Sequence, residues 1–176
     1  FTVTAFADET MQGLTETNVP HSENAAAAAV YNLENDMLVY SHNVDAVLPT
    51  ASFTKMMTAV CAYELLSERL DEKLTVEYSM IKDATGNQVG YYVGESVSVR
   101  DMFGGLLLRG ANDSAYLLCY AAKGSVSDFV AYMNEKAQTL GMTSTVYKNP
   151  TGMDAEGMVT SAADSVTIAR EFYSIE

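Results

Sequence analysis

Two side chains, Ser52 and Lys55, have residue types and a spacing that suit a nucleophile and its base. Positions i and i+3 share one face of a helix, so the two groups would lie side by side. A serine hydroxyl attacks a carbonyl only when a base takes its proton, and a lysine amine serves as that base where burial lowers its pKa. Backbone N–H groups at the start of the same helix can stabilise the oxyanion. The pair therefore predicts acyl transfer through a covalent serine intermediate.

The residues around Ser52 and Lys55 help to distinguish a catalytic pair from a chance Ser-x-x-Lys pattern. An isolated Ser-x-x-Lys pattern is weak, because a solvated serine near a surface lysine occurs by chance in many proteins. Here residues 56–60, directly after Lys55, are Met-Met-Thr-Ala-Val, which indicates a helix with an apolar face near the centre of the fold. The apolar neighbours favour the chemical interpretation of Ser52 and Lys55.

A further candidate residue, Asn112, follows Gly110 and opens another apolar stretch. Asparagine is a common helix N-cap, which would give Asn112 a purely structural role. Its amide carries both a donor and an acceptor, so it can also hold a substrate amide and contact the Lys55 amine. The residues alone leave these two interpretations open.

The composition excludes some classes of function. The chain of 176 residues has a net charge of −13 and only 10 scattered lysines and arginines, so binding to nucleic acid is not expected. No apolar run reaches the roughly 20 residues that a membrane-spanning helix needs.

His21 and His42 lie far from any carboxylate or cysteine pattern, so no metal site is expected. Cys61 and Cys119 lie in apolar stretches, and whether they form a disulfide stays open.

The pattern of apolar residues predicts an α+β fold. Two apolar runs, residues 25–33 and 37–41, flank a turn signal and predict a β-hairpin, although the alanines also suit a helix. Residues 79–95 contain glycines that predict loops. The predicted helices comprise residues 52–67, 101–108, 112–122, 125 or 127 to 140, and 161–173, and the short strands comprise residues 74–78 and 95–99. The helices would form one lobe beside the hairpin.

Polar residues mark the predicted helix starts. Asp101 is predicted to cap the second helix, and either Ser125 or Ser127 the fourth. Ser161 and Asp164 have the spacing of a capping box at the start of the last helix. A turn is predicted at residues 149–152, which read Asn-Pro-Thr-Gly.

The N-terminal residues suggest export. Residues 5–7, Ala-Phe-Ala, have the small-x-small form of a signal-peptidase site, so residues 1–7 are predicted to be the tail of a signal peptide, with a frayed strand as the alternative. Residues 8–24 are polar and are predicted to be a mobile lead-in to a folded domain at residues 25–176. A signal peptide would place the mature protein outside the cytoplasm.

The order of several motifs resembles one family, the penicillin-binding D-alanyl-D-alanine carboxypeptidases, which are low-molecular-mass serine peptidases of peptidoglycan. The likeness covers nearly all of residues 25–173, and its ordered segments make it more specific than Ser-x-x-Lys alone. The matching segments are residues 49–59 around Ser52, 94–95 and 99–102, 107–113 around Asn112, 129–134, 140–142 and 149–154.

This resemblance implies a β-lactamase/transpeptidase-like fold and a reaction. Ser52 would attack the carbonyl between the two terminal D-alanines of a stem peptide, with its backbone N–H as one oxyanion donor. Lys55 would accept the Ser52 proton and later assist the deacylating water, while Asn112 would orient the substrate amide and the Lys55 amine. β-Lactams would acylate Ser52 because they resemble the D-Ala-D-Ala unit, and no cofactor is implied. Residues 25–176 would then be a partial catalytic domain.

Three departures from the family pattern qualify these expectations. Gly110 stands where the family has the serine of a Ser-x-Asn motif, whose hydroxyl joins the proton-transfer network, and Ser114 is not expected to substitute for it. Thr151 stands where the family usually has histidine. The Lys-Thr-Gly strand motif is absent, so Glu176 is expected to be a truncation point with the C-terminal strands missing. A membrane anchor beyond Glu176 is left open.

Three alternatives to an active carboxypeptidase also stay open. A serine β-lactamase would use the same Ser-x-x-Lys pair, although the segments after Phe129 argue against it. A catalytically impaired, peptidoglycan-binding relative is favoured by Gly110 and by the missing strand motif. A non-enzymatic exported domain with a chance Ser-x-x-Lys is disfavoured by the ordered motifs.

Overall fold

The computed structural model describes residues 24–175, which form an α+β fold of two small antiparallel sheets and a helical lobe. The predicted signal tail at residues 1–7 and nearly all of the predicted lead-in at residues 8–24 lie outside the described residues. Between residues 24 and 175, no helix has the length and apolar character needed to cross a membrane. The elements are β1 (Ala28–Asn32), β2 (Met37–His42), α1 (Thr54–Leu66), β3 (Lys73–Thr75), α2 (Tyr78–Ile81), β4 (Ser96–Ser98), α3 (Val99–Arg109), α4 (Asn112–Lys123), α5 (Val126–Thr139) and α6 (Ala162–Tyr173).

The predicted hairpin is confirmed as β1 and β2. The strands pair antiparallel, from Ala28 opposite His42 to Asn32 opposite Met37, and the register shifts once, after Val30. Ala28 and Ala29, the last two residues of the alanine run, take the extended form despite their helix propensity, because they pair with β2 and β1 packs against α6. Tertiary contacts therefore decide the conformation of these two residues.

Helix α1 lies at the centre of the helical lobe, and α3, α4, α5 and α6 all pack against it. Its buried side chains lie on opposite faces, with Met57, Val60 and Cys61 on one face and Ala59 and Leu66 on the other. A helix surrounded by others needs apolar residues on several sides rather than one stripe. The packing fixes the axis of α1 and hence the position of the residues at its N-terminal end.

Serine side chains cap three of the helices that pack on α1, namely α3, α5 and α6. Ser98 caps α3 by accepting a hydrogen bond from the Asp101 N–H over 3.1 Å, so the prediction of Asp101 as the cap is wrong. Ser125 rather than Ser127 caps α5 in the same way. Serine is favoured at this position because its short side chain reaches an N–H that has no partner within the helix.

The segment between α1 and α3 differs in detail from its prediction. The two predicted strands pair as the shorter β3 and β4, with Leu74 opposite Val97. The one-turn helix α2 lies partly in a region that was predicted to be loops, where the Lys82 N–H donates to the Tyr78 carbonyl oxygen over 2.9 Å. Helix α2 packs against α4. A single turn is too short to produce a helical pattern of apolar residues, so the sequence gives no sign of it.

Candidate active site

Ser52 and Lys55 lie side by side where α1 begins. Ser52 belongs to a 3-10 turn, Ala51–Phe53, that leads directly into α1, and Lys55 is the second residue of that helix, so the i, i+3 spacing places both side chains on one face. Ser52 is exposed, whereas Lys55 is half-buried. The Lys55 Nζ donates to the Ser52 Oγ over 3.4 Å. This distance is long for a strong hydrogen bond, yet it keeps the amine within reach of the hydroxyl proton.

The Lys55 amine has a second acceptor, the carbonyl oxygen of Thr151, at 2.7 Å. Burial lowers the pKa of Lys55 below its ordinary value of 10.5. A lower pKa leaves more of the amine neutral at a given pH, and the neutral amine is the form that can take a proton from Ser52. The geometry therefore suits Lys55 to act as a base.

The turn that presents Thr151 is organised by the side chain of Asn149. Its Oδ1 accepts hydrogen bonds from the Thr151 N–H at 3.0 Å, the Gly152 N–H at 2.9 Å and the Thr151 hydroxyl at 2.9 Å. From α1, Thr58 donates its hydroxyl to the Pro150 carbonyl oxygen over 2.7 Å. The turn is thus bound to the same helix that carries Lys55.

Gly152 approaches the backbone that leads into Ser52. A Cβ atom at Gly152 would lie 1.8 Å from the Ala51 carbonyl oxygen and 3.1 Å from the Ser52 nitrogen, so only glycine fits. The φ of Gly152 is +84°, which glycine adopts freely. Ala51 has a φ of +43°, an uncommon conformation for a residue with a side chain. These two backbone segments fix each other just before the candidate nucleophile.

Asn112 is the first residue of α4, which packs against α1. Ala111 occupies the N-cap position, so the capping interpretation of Asn112 is wrong. The Asn112 Nδ2 donates to the Thr85 carbonyl oxygen over 2.5 Å, and among the described residues no hydrogen bond joins Asn112 to Lys55. The Asn112 Oδ1 is buried and has no partner within residues 24–175. A buried acceptor without a donor costs free energy until a donor reaches it.

The part of the chain that the structure describes shows no second centre for metal or thiol chemistry. No group of three or more histidine, cysteine, aspartate or glutamate side chains within residues 24–175 could hold a metal ion. Cys61 and Cys119 are buried free thiols, and burial raises the pKa of Cys61 to about 12. A protonated, buried thiol is a poor nucleophile.

Comparison with known proteins identifies the family. A family model described as D-alanyl-D-alanine carboxypeptidase matches residues 14–175. The chain belongs to the D-alanyl-D-alanine carboxypeptidase family. The resemblance that the ordered motifs indicate is confirmed by this match.

Individual relatives of the carboxypeptidase family support the assignment. D-alanyl-D-alanine carboxypeptidase DacF of Bacillus subtilis (strain 168) is 31% identical over 180 residues, which cover 100% of this chain and 45% of the relative. The D-alanyl-D-alanine endopeptidase of Escherichia coli (strain K12) is 31% identical over 137 residues, covering 78% of this chain and 44% of the relative. The crystal structure of D-alanyl-D-alanine carboxypeptidase DacD from Francisella tularensis has a TM-score of 0.78 at 26% identity, covering 85% of this chain and 37% of that one. The chain therefore spans less than half the length of these relatives, and the structural likeness confirms the predicted transpeptidase-like fold class.

The departures from the carboxypeptidase pattern have visible structural consequences. Gly110, where a serine was expected, ends α3 with a φ of +62°. Ser114 does not take over, because its buried Oγ lies 3.2 Å from the Tyr91 hydroxyl and makes no hydrogen bond with Lys55. Thr151, where histidine was expected, contributes its backbone carbonyl oxygen to Lys55, an atom that does not depend on the side chain.

The sequence does not reveal Asn149 and the Thr151 carbonyl oxygen as parts of the candidate site. An asparagine at a turn binds backbone N–H groups a few residues on, so the Asn-Pro signal could have suggested the contacts inside the turn. Nothing local relates the turn to Lys55, and its position beside α1 is visible only in the folded chain.

Proposed function

We propose that the full-length protein is a serine-type D-alanyl-D-alanine carboxypeptidase that trims peptidoglycan stem peptides through an acyl-enzyme at Ser52. The observation that carries this proposal is the half-buried Lys55 amine, which lies 3.4 Å from the Ser52 Oγ and 2.7 Å from the Thr151 carbonyl oxygen. Family membership supports the choice of substrate class, and the Bacillus subtilis relative is a D-alanyl-D-alanine carboxypeptidase by name.

The proposed reaction uses one amine in both of its steps. The Ser52 Oγ attacks the carbonyl carbon between the two terminal D-alanines, and its proton passes to the Lys55 Nζ. The C–N bond then breaks, and the Lys55 ammonium gives a proton to the nitrogen of the departing D-alanine. An ester remains on Ser52. A water molecule that loses its proton to the Lys55 amine attacks this ester. The bond between the acyl carbon and the Ser52 Oγ breaks, the Lys55 ammonium returns a proton to the Oγ, and the shortened peptide leaves.

Asn112 is proposed to orient the substrate. Its buried Oδ1 is an acceptor without a partner among the described residues, and a substrate amide N–H would satisfy it. A cleft of about 380 Å³ lies next to the residues that precede Ser52, although Ser52, Lys55 and Asn112 do not line it. The residues that line this cleft are Pro49, Thr50, Ala51, Gly152, Met153, Asp154, Ala155, Glu156 and Met158.

The proposed substrate also bears on location and on inhibitors. Peptidoglycan lies outside the cytoplasm, so we propose that the protein acts there, and the predicted signal tail at residues 1–7 agrees with this. β-Lactams are the proposed inhibitors, because they would acylate Ser52 in place of the D-Ala-D-Ala unit.

Covalent labelling tests the proposal. The full-length protein is incubated with a fluorescent penicillin, digested and mapped by mass spectrometry, and Ser52 is expected to carry the label. Ser52→Ala is expected to abolish labelling, whereas the control Ser127→Ala, at an exposed serine of α5, is expected to retain it. A stem pentapeptide ending in D-Ala-D-Ala is expected to release D-alanine, measured with D-amino-acid oxidase.

Other outcomes would point to other functions. A wild-type protein that is folded by circular dichroism but remains unlabelled would contradict the proposal and favour a peptidoglycan-binding relative without activity. Rapid release of hydrolysed penicillin would indicate a β-lactamase. Cleavage of cross-linked stem peptides with the pentapeptide left intact would indicate an endopeptidase, the activity for which the Escherichia coli relative is named.

A further inference from the structure

The Asn149 side chain sets the direction of the Thr151 carbonyl group. The Thr151 C=O and the Gly152 N–H belong to one planar trans peptide unit, so they point in opposite directions. The Asn149 Oδ1 accepts a hydrogen bond from this Gly152 N–H at 2.9 Å. The Thr151 oxygen, at the other end of the unit, faces the Lys55 Nζ at 2.7 Å. One side-chain oxygen therefore orients the acceptor that holds the candidate base.

Asn149 is itself fixed on both sides of its amide. Its Nδ2 donates to the Met153 carbonyl oxygen at 2.8 Å and lies 3.3 Å from the Met158 sulfur. Its Oδ1 accepts from the N–H and the hydroxyl of Thr151 as well as from the Gly152 N–H. Donor and acceptor sites are both occupied, so the amide has one orientation and cannot rotate without breaking several hydrogen bonds.

The rest of the turn is attached to α1 by contacts that do not involve Asn149. Thr58 donates to the Pro150 carbonyl oxygen at 2.7 Å, and both residues are buried. Gly152 packs directly on the backbone of Ala51. These contacts would remain in a variant at position 149, so such a variant acts on the Thr151–Gly152 peptide unit more than on the whole segment.

We propose that Asn149 is a positioning residue for Ser52 and Lys55, acting through the Thr151–Gly152 peptide unit. The inference rests on the proposed function of Ser52 and Lys55 and gives a role to a residue that the motifs leave without one. Without the Asn149 oxygen the peptide unit can rotate, and the Lys55 amine loses its fixed acceptor. The amine then spends less time within reach of the Ser52 hydroxyl, which slows acylation.

Asn149→Ala is tested against Asn134→Ala in the full-length protein. Asn134, on α5, is a matched control because its amide also binds the backbone of the segment that leads into the turn. It accepts from the Tyr147 N–H at 2.8 Å and donates to the Tyr147 carbonyl oxygen at 2.9 Å, without contacting Lys55. Both substitutions remove hydrogen bonds from a side chain to the backbone. Only Asn149→Ala removes the hydrogen bond that orients the Thr151 carbonyl group.

Stopped-flow labelling with a fluorescent penicillin separates the acylation rate constant from the dissociation constant of the complex that precedes it. Asn149→Ala is expected to lower the acylation rate constant about 10–100-fold and to change the dissociation constant by less than about threefold, because it displaces the base and not the ligand. Asn134→Ala is expected to lower Tm by a similar amount but to leave the rate constant within about twofold of wild type.

Asn149→Asp provides the conservative variant. Aspartate retains the oxygen that accepts from the turn, so most of the acylation rate is expected to return. The comparison is made at alkaline pH, because a new carboxylate near Lys55 would keep more of the amine protonated at neutral pH. A rate as low as that of Asn149→Ala would count against the role of the oxygen.

An NMR titration of carbon-13-labelled lysine reads the Lys55 amine directly, whether or not Ser52 reacts. Burial is the cause of the lowered pKa of Lys55, and no ion pair involves Lys55 among the described residues. In Asn149→Ala this pKa is expected to rise toward 10.5 as the amine gains water, and in Asn134→Ala it is expected to stay unchanged. If the wild-type protein is not labelled by penicillin but the Lys55 pKa rises in Asn149→Ala, the proposed function is contradicted and the positioning role is still supported. Wild-type acylation and a wild-type Lys55 pKa in folded Asn149→Ala would overturn the inference, as would equal slowing in Asn134→Ala.

Discussion

At the scale of single residues, the candidate site depends on two backbone segments that touch just before the nucleophile. Ala51 has a φ of +43°, and holding a residue with a side chain in this region costs on the order of 1–3 kcal/mol. The conformation persists because the Gly152 backbone packs against the Ala51 carbonyl group. Strain at the residue before Ser52 is therefore maintained by a turn that also supplies the acceptor for Lys55.

Gly152→Ala is expected to prevent folding or to lower the free energy of unfolding by more than about 3 kcal/mol, because its Cβ would lie 1.8 Å from the Ala51 oxygen. Gly157→Ala is the matched control. Gly157 also has a positive φ, +73°, but its Cβ would meet only Lys148 Cε at 3.7 Å. That substitution is expected to cost about 1–2 kcal/mol from backbone strain alone. Urea denaturation measures both losses, and equal losses would show that the contact with Ala51 does not matter.

The residues of the site differ in how far the sequence could reveal them. The contact between Ser52 and Lys55 could be predicted because a spacing of three residues in a helix is a local property. The contact between Lys55 and Thr151 joins residues 96 positions apart, and no periodicity relates them. The motif identifies Asn112 as a candidate residue. Tertiary contacts, which the motif does not give, decide whether Asn112 caps the helix or directs its amide elsewhere.

At the scale of elements, three helices begin with the same Ser-x-x-Asp arrangement. In each, the serine Oγ accepts a hydrogen bond from the aspartate N–H at 3.1 Å. The pairs are Ser98 with Asp101 in α3, Ser125 with Asp128 in α5, and Ser161 with Asp164 in α6. The serine satisfies an N–H that lacks a partner within the helix, and the carboxylate favours the positive end of the helix dipole. Local sequence therefore sets where these helices begin.

Ser125→Ala is expected to lower the free energy of unfolding by about 1 kcal/mol, because α5 would lose its N-cap. Ser127→Ala removes an exposed hydroxyl inside the helix and is expected to change stability by less than about 0.5 kcal/mol. The sequence allowed either serine as the cap, so this pair of variants, compared by urea denaturation, checks the assignment. A larger loss for Ser127→Ala would contradict it.

Local signals could predict the hairpin and the longer helices, and they fail where a tertiary contact decides. Asparagine is a frequent N-cap, yet α4 begins with Ala111 at that position. The Asn112 N–H instead donates to the Asn87 carbonyl oxygen at 2.7 Å, and its side chain donates to Thr85. Both partners lie in the loop before β4, which the sequence does not place beside α4. Residue preferences predict the first residue of a helix poorly where such tertiary contacts compete with them.

At the scale of the whole molecule, α1 brings the site together. Lys55 lies in its first turn, Ser52 lies in the 3-10 turn just before it, and both are beside the turn of residues 149–152. Its neighbour α4 begins with Asn112. The packing between α1 and α4 therefore determines how the site residues lie relative to one another. Cys61 of α1 and Cys119 of α4 are both fully buried in this core.

The thiols of Cys61 and Cys119 are expected to react only when the helical core opens. Both are free, and burial raises both pKa values, to about 12 for Cys61, so accessible thiolate is scarce near neutral pH. In the full-length protein, iodoacetamide followed by peptide mapping is expected to modify both cysteines at least about 1,000-fold more slowly in the native state than in concentrated guanidinium chloride. A disulfide-linked peptide would contradict the free thiols, and rapid native reaction at one cysteine would show local opening of its helix. Equal, slow native rates would mean that α1 and α4 open together, and that the position of Lys55 is as stable as the core itself.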